Sequence, residues 1–226
     1  MKYAIFDLDG TLLDYEGASF EAMDTVLFKH GRKFTSSLHS SIIGTKDLDW
    51  SRKLIDLLQI GDQITPPEFI TQYHEEIERL IPSMQLMPGA ANLLQQLHKS
   101  GIPIAIATSS SSTVVPKKLA FHPIVGQTVS VIVTGDDPHL KRGKPAPDIF
   151  LLAAERLGVP SDELHECTVF EDSPFGVAGG ISAGMQTVAL PDMRFLTNKD
   201  GFREASMIFN SLDEFLTHPH MSEATV

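Results

Sequence analysis

The chain has 226 residues, 42% hydrophobic and 21% charged, enough for a substantial apolar core and too apolar for global disorder. Its formal net charge of -11 repels polyanions and argues against nucleic acid or an anionic membrane surface as a partner. One cysteine, Cys167, leaves no pair for a disulfide within the sequence and suits a reducing compartment.

Taken in chain order, the apolar run at 3–6 reads as a buried strand. It feeds directly into Asp7-Leu8-Asp9-Gly10-Thr11, where Gly10 lets the backbone turn sharply away. Residues 15–83 show no strand pattern. Amphipathic stretches at 20–30, 48–58 and 68–81, punctuated by Gly31, Gly44, Gly61 and Pro66-Pro67, predict an inserted helical bundle with Trp50, Phe69 and Tyr73 in its core. From residue 84 the pattern alternates. Helices are predicted at 90–100 and 147–157, each closed by a glycine just beyond its end, and strands at 104–107, 129–133, 168–170, 187–190 and 207–209. Cys167 adjoins one of these runs and reads as a buried structural thiol. Gly176, Gly179, Gly180 and Gly184 punctuate the helix after residue 173, and close packing against the sheet is expected at Gly179 or Gly180. Residues 217–226 lack periodicity and are expected to form a flexible tail.

This order of elements predicts an α/β fold: a Rossmann-like parallel sheet with helices on both faces, carried by residues 1–14 and 84–216, and a small helical-bundle cap domain at 15–83. If the first strand is central, the strands near 104 and 131 lie on one side of it and those near 168 and 187 on the other. The crevice at that topological switch point is where open α/β sheets bind ligands. No apolar run is long enough to span a bilayer, and a secretory leader is not expected because the first run ends at Asp7. The expectation is a cytoplasmic protein, monomeric, with no membrane or nucleic-acid partner.

Four polar segments end predicted strands or open helices around that crevice: Asp7 and Asp9; Thr108-Ser109-Ser110; Lys144 in Gly143-Lys144-Pro145; and Glu171-Asp172-Ser173. Together they supply what phosphoryl transfer needs. A carboxylate can attack phosphorus, and a second can move protons. Hard oxygen ligands such as Asp7 and Asp172 suit Mg²⁺. A lysine neutralises phosphate charge, and a hydroxyl with the amides after it can bond phosphate oxygens. Taken singly, each segment also has an ordinary reading, as a capped turn, a helix N-cap or a solvated loop lysine.

Those segments, in that order, resemble the four motifs of the haloacid dehalogenase (HAD) superfamily over nearly the whole chain, and the insert sits at the cap position of one of its subgroups. The resemblance implies a phosphatase in which Asp7 is the nucleophile and Asp9 the general acid/base. Thr108, Ser109 and Lys144 would bind phosphate. Asp7, Asp172 and the carbonyl of Asp9 would hold Mg²⁺, with Glu171 in support. The cap of such an enzyme is expected to close over the substrate, and Lys46, at a predicted helix start, is a candidate cap contact. Leu86-Met87-Pro88-Gly89-Ala90 and Gly135-Asp136-Asp137-Pro138 are similar to the branch holding β-phosphoglucomutase and the pseudouridine-5'-, glycerol- and sugar-phosphate phosphatases. The implied substrate is a small phosphorylated metabolite, pseudouridine 5'-phosphate first or a sugar phosphate. Two alternatives stand beside it: a mutase-like isomerase, disfavoured because Ser19 occupies the position of the mutases' cap-hinge histidine, and an inactive phosphate-binding protein, disfavoured by the complete polar set.

Overall fold

A computed structural model describes residues 1–42, 47–196 and 198–219. The chain folds into two compact units, one of Met1–Asp14, Gln85–Asp192 and Asn198–Val226, the other of Tyr15–Met84 and Met193–Thr197. In chain order the elements are β1 (Tyr3–Phe6), α1 (Tyr15–Lys29), α2 (Ser36–Ser40), α3 (Asp47–Leu58), α4 (Pro66–Leu80), α5 (Ala90–Lys99), β2 (Ile104–Ala107), α6 (Val115–Leu119), α7 (Pro123–Thr128), β3 (Val131–Val133), α8 (Asp148–Arg156), β4 (Cys167–Glu171), α9 (Pro174–Ser182), β5 (Gln186–Ala189), β6 (Met207–Ile208) and α10 (Leu212–Leu216).

The first unit is built on one six-stranded sheet of order β3-β2-β1-β4-β5-β6, parallel throughout. β1 is therefore internal, with β2 and β3 on one side and β4 and β5 on the other, as expected from the sequence. Alternation along the strands sends successive side chains to opposite faces. Ile5 and Val169 join the apolar cluster that contains Phe150 and Ala153 of α8. Phe6 and Phe170 point the other way, stacked at 4.4 Å, and Phe215 of α10 meets Phe170 edge-on at 5.0 Å. Helices thus cover both faces, and β4 is buried along its whole length, with Thr168 and Glu171 its polar members.

Local chemistry moves several boundaries. The run at 129–133 yields strand only from Val131, because α7 uses residues up to Thr128. α1 starts five residues earlier than its periodicity suggests, at Tyr15, where Tyr15 and Ala18 pack against the apolar core of the helical unit. α4 starts at Pro66, which suits a first helical position. The backbone N–H of Thr65, just before it, donates to the Glu68 carboxylate at 2.9 Å. The short helices α2, α6, α7 and α10, five or six residues each, carry too little periodicity to be read from sequence.

The helical unit contains no strand among its described residues. Trp50 packs edge-on against Phe69 and Tyr73, at 5.4 and 5.2 Å between ring centroids, and all three are buried. Ser19 is not a solvated surface residue: its hydroxyl lies 2.8 Å from that of Tyr73.

The glycines after residue 173 have three distinct neighbours. A Cβ on Gly180 would press on Thr187 and Val169 of the sheet, and one on Gly179 would press on Phe150 of α8. A Cβ on Gly176 would collide with the Glu171 carboxylate, an approach that sequence alone does not reveal.

Candidate active site

Asp7 is the first residue beyond β1, and its N–H donates to the Phe170 carbonyl at 3.0 Å, extending the β1–β4 ladder by one bond. The register Phe6↔Phe170 sets Asp7 beside Glu171 at the carboxyl ends of two adjacent parallel strands. The chain then turns at Gly10, whose φ of +92° lies in the region that favours glycine. A side chain at Gly10 would also collide with Asp172, so this glycine is what lets that carboxylate come down onto the turn. Thr11 donates its hydroxyl to Asp172 Oδ1 at 3.2 Å.

Lys144 comes from the loop between β3 and α8, at a cis peptide bond to Pro145. Its ammonium donates to Asp7 Oδ1 and Glu171 Oε1, each at 2.5 Å, and lies 5.2 Å from the centroid of the Phe150 ring. All three charged side chains are buried, with exposures of 7% for Lys144, 9% for Asp7 and none for Glu171. The other Glu171 oxygen accepts from the Ser173 N–H at 3.1 Å and its hydroxyl at 3.0 Å. One ammonium shared by two buried carboxylates compensates only one negative charge. Burial accordingly pushes the Asp7 carboxyl up to about 7; Lys144 pulls it the other way, and the charges of Glu171 and Asp9 add to the rise. For Lys144, burial disfavours the cation, but Asp7 and Glu171 outweigh that and hold its pKa above the usual lysine value.

Asp9 belongs to a second network. Lys118 Nζ lies 2.7 and 2.8 Å from its two carboxylate oxygens and donates to the Ser110 hydroxyl at 3.0 Å. Ser110 in turn donates to Asp9 Oδ2 at 2.6 Å. Thr108 is buried, and its hydroxyl accepts the Ser110 N–H at 3.0 Å. Ser109 is exposed, with its carbonyl packed so tightly on Gly135 that no side chain fits there. Asp136 accepts from the N–H and hydroxyl of Ser112 at 2.7 and 2.8 Å, tying the β3 loop to the serine loop.

The structure thus joins Asp7, Lys144 and Glu171 directly, and links Thr108 to Asp9 through Ser110. Asp172 stands at Gly10 and Thr11. Lys46 lies outside the described residues. Lys118 escapes sequence reasoning: its only signal is the spacing of Val115 and Lys118 on one face of a helix too short to be predicted.

Among the described residues no three His, Cys, Asp or Glu side chains gather into a metal cage. The arrangement fits a different kind of site. Three carboxylates (Asp7, Asp9, Glu171) are met by two ammonium groups (Lys118, Lys144), and Asp172 bonds Thr11 of the same turn, a carboxylate-rich setting that a divalent cation would suit. Asp7 and Asp172 supply hard oxygen ligands, and the Asp9 carbonyl takes no hydrogen bond among the described residues. Two carboxylates, a carbonyl and waters suit a small hard dication.

A fold with a parallel sheet, paired aspartates after the first strand and a buried lysine spanning two strand ends is that of a known hydrolase class. Residues 1–184 match the haloacid dehalogenase-like hydrolase family model, and the chain belongs to that family. It is 36% identical to the (DL)-glycerol-3-phosphatase 2 of Arabidopsis thaliana, over 95% of this chain and 89% of that protein. It is also 36% identical to the "Probable pseudouridine-5'-phosphatase" of Drosophila melanogaster, over 95% and 91% respectively. A HAD family hydrolase from Deinococcus radiodurans, solved with bound phosphate and sodium, superposes with a TM-score of 0.79 at 25% identity, over 99% of this chain and 96% of that one.

Proposed function

We propose that the chain is a Mg²⁺-dependent phosphomonoester hydrolase working through a phosphorylated Asp7. The observation that carries this reading is the buried Asp7–Lys144–Glu171 triad at adjacent strand ends, with Asp9 two residues beyond the nucleophile. In the first step an Asp7 carboxylate oxygen bonds to phosphorus, the ester P–O bond breaks, and Asp9 gives its proton to the departing oxygen. In the second step water attacks phosphorus, Asp9 takes the proton back, and the bond to Asp7 breaks to release phosphate. Lys144 neutralises phosphoryl charge, while Thr108 and Ser109 line the phosphate pocket. Mg²⁺, held by Asp7, Asp172 and the Asp9 carbonyl, would supply the charge neutralisation that lets an anionic nucleophile meet an anionic phosphate.

The substrate class is a small phosphorylated metabolite. Relatives named for glycerol 3-phosphate and pseudouridine 5'-phosphate support that range, and pseudouridine 5'-phosphate is the first candidate. Ser19, hydrogen-bonded to Tyr73 where β-phosphoglucomutases carry their hinge histidine, favours hydrolysis over isomerisation. The protein is read as a monomer in the reducing cytoplasm; the lone cysteine, buried and with its thiol pushed up to about 11 by burial, supports the compartment. A screen of phosphorylated metabolites for phosphate release tests the substrate class. Treatment with EDTA should abolish release from every active substrate and added Mg²⁺ should restore it; full activity in the metal-free protein would sink the reading.

A further inference from the structure

We propose that Lys118 is a positioning residue that fixes the Asp9 carboxylate for proton transfer, with Ser110 as its partner. The inference rests on the reading of Asp9 as the acid/base group. Lys118 is 3% exposed, although it belongs to a helix of only five residues whose neighbour Lys117 is exposed. An ammonium so buried is costly unless it is paired, and here the pairing is spent on Asp9, 109 residues away.

The contact is two-pronged. Lys118 reaches both carboxylate oxygens, and Ser110 holds Oδ2 a second time. Ser110 is itself fixed, its N–H on the Thr108 hydroxyl and its carbonyl on the Gly135 N–H at 2.9 Å. Asp9 sits on a turn after β1 with a side chain only 20% exposed. Without these bonds its two side-chain torsions would be set by the turn alone. A proton donor must come within about 3 Å of the atom it serves, and loss of about 1 Å in placement is felt in rate. Lys118 meets Asp9 as Lys144 meets Asp7, while the proposed reaction gives Lys144 the further role of neutralising phosphoryl charge.

A role through Asp9 has a signature that simple charge balance lacks. An alkoxide leaving group needs its proton as the P–O bond breaks, whereas nitrophenolate departs without one. The test is single-turnover kinetics on glycerol 3-phosphate, or the alkyl phosphate the wild type prefers, and on p-nitrophenyl phosphate. Wild type, Lys118→Met, Lys118→Arg and Asp9→Asn are compared. Lys118→Met should lower the alkyl-to-aryl rate ratio by about tenfold or more, approaching the fall in Asp9→Asn, and Lys118→Arg should recover part of it. A ratio that falls in Asp9→Asn but stays at the wild-type value in Lys118→Met overturns the role of Lys118. A ratio that stays put in Asp9→Asn overturns the assignment of Asp9 itself, and the inference with it. Thermal melting shows whether each variant folds. Should Lys118→Met not fold, Ser110→Ala carries the same test: a lowered ratio supports the clamp and an unchanged one rejects it.

Discussion

The two units bury different things. The helical unit encloses a nearly pure apolar core, Met23, Val26, Leu54, Trp50 and Phe69 among others, with His39 and Ser51 its buried polar residues among those described. The sheet unit buries Asp7, Lys118 and Glu171 outright and Lys144 almost so. Apolar burial contributes about 25 cal/mol per Å² wherever it occurs, while a buried charge costs stability unless another charge meets it. We read the unit that holds ion pairs in its interior as the one arranged for chemistry, with the Asp7–Lys144–Glu171 and Asp9–Lys118 groups as its candidate site. The helical unit uses burial for cohesion, so its contribution to function must come from residues at its surface, whose identities core packing does not constrain.

That contrast can be broken at specific positions. Asp7→Asn keeps the shape of the side chain and leaves Lys144 its bond to Glu171. We expect phosphate release to fall by roughly 10³-fold or more while the thermal midpoint shifts little, as read by steady-state kinetics beside a melting curve. Trp50→Ala in the helical unit should do the reverse. It removes the ring that meets Phe69 and Tyr73, and the loss is expected at about 3–5 kcal/mol in a urea titration, with turnover by the folded protein retained. If instead Trp50→Ala abolished turnover in conditions where the protein remains folded, the division of labour drawn above would be wrong.

Two glycines sharpen the comparison at smaller scale. Gly176→Ala drives a methyl group into the Glu171 carboxylate and should cost about 2–3 kcal/mol while also slowing catalysis, since Glu171 is half of the Lys144 cradle. Gly126→Ala in α7 meets nothing within 4 Å and should raise stability by about 0.5–1 kcal/mol with activity unchanged. Equal effects at the two positions would mean that the closeness of α9 to Glu171 has no functional weight.

Much of the sheet was legible because buried parallel strands are short apolar runs that end in polar residues, and all six runs became strands. Taking the strand at residue 3 as central put the runs near 104 and 131 on one side of it and those near 168 and 187 on the other, as the sheet has them, while right-handed crossovers account for helices on both faces. The short helices were not legible. A five-residue element such as α10 owes its existence to the Ser211 hydroxyl accepting the Glu214 N–H and to tertiary packing of Leu212 and Phe215, and none of these leaves a periodic trace.

In the candidate site, the sequence by itself marked Asp7, Asp9, Thr108, Lys144, Glu171 and Asp172, because each stands at a strand end or loop where its residue type has a distinct chemical use. Tertiary structure alone decided which of them meet. Lys144 could have reached any of four carboxylates, and it bridges Asp7 and Glu171 because β1 and β4 pair in register. Lys118 looked like any helix-surface lysine. Only the tertiary fold brought it to Asp9 and Ser110, in the loops after β1 and β2, and a charge's partner across 109 residues is a property of that packing rather than of local sequence.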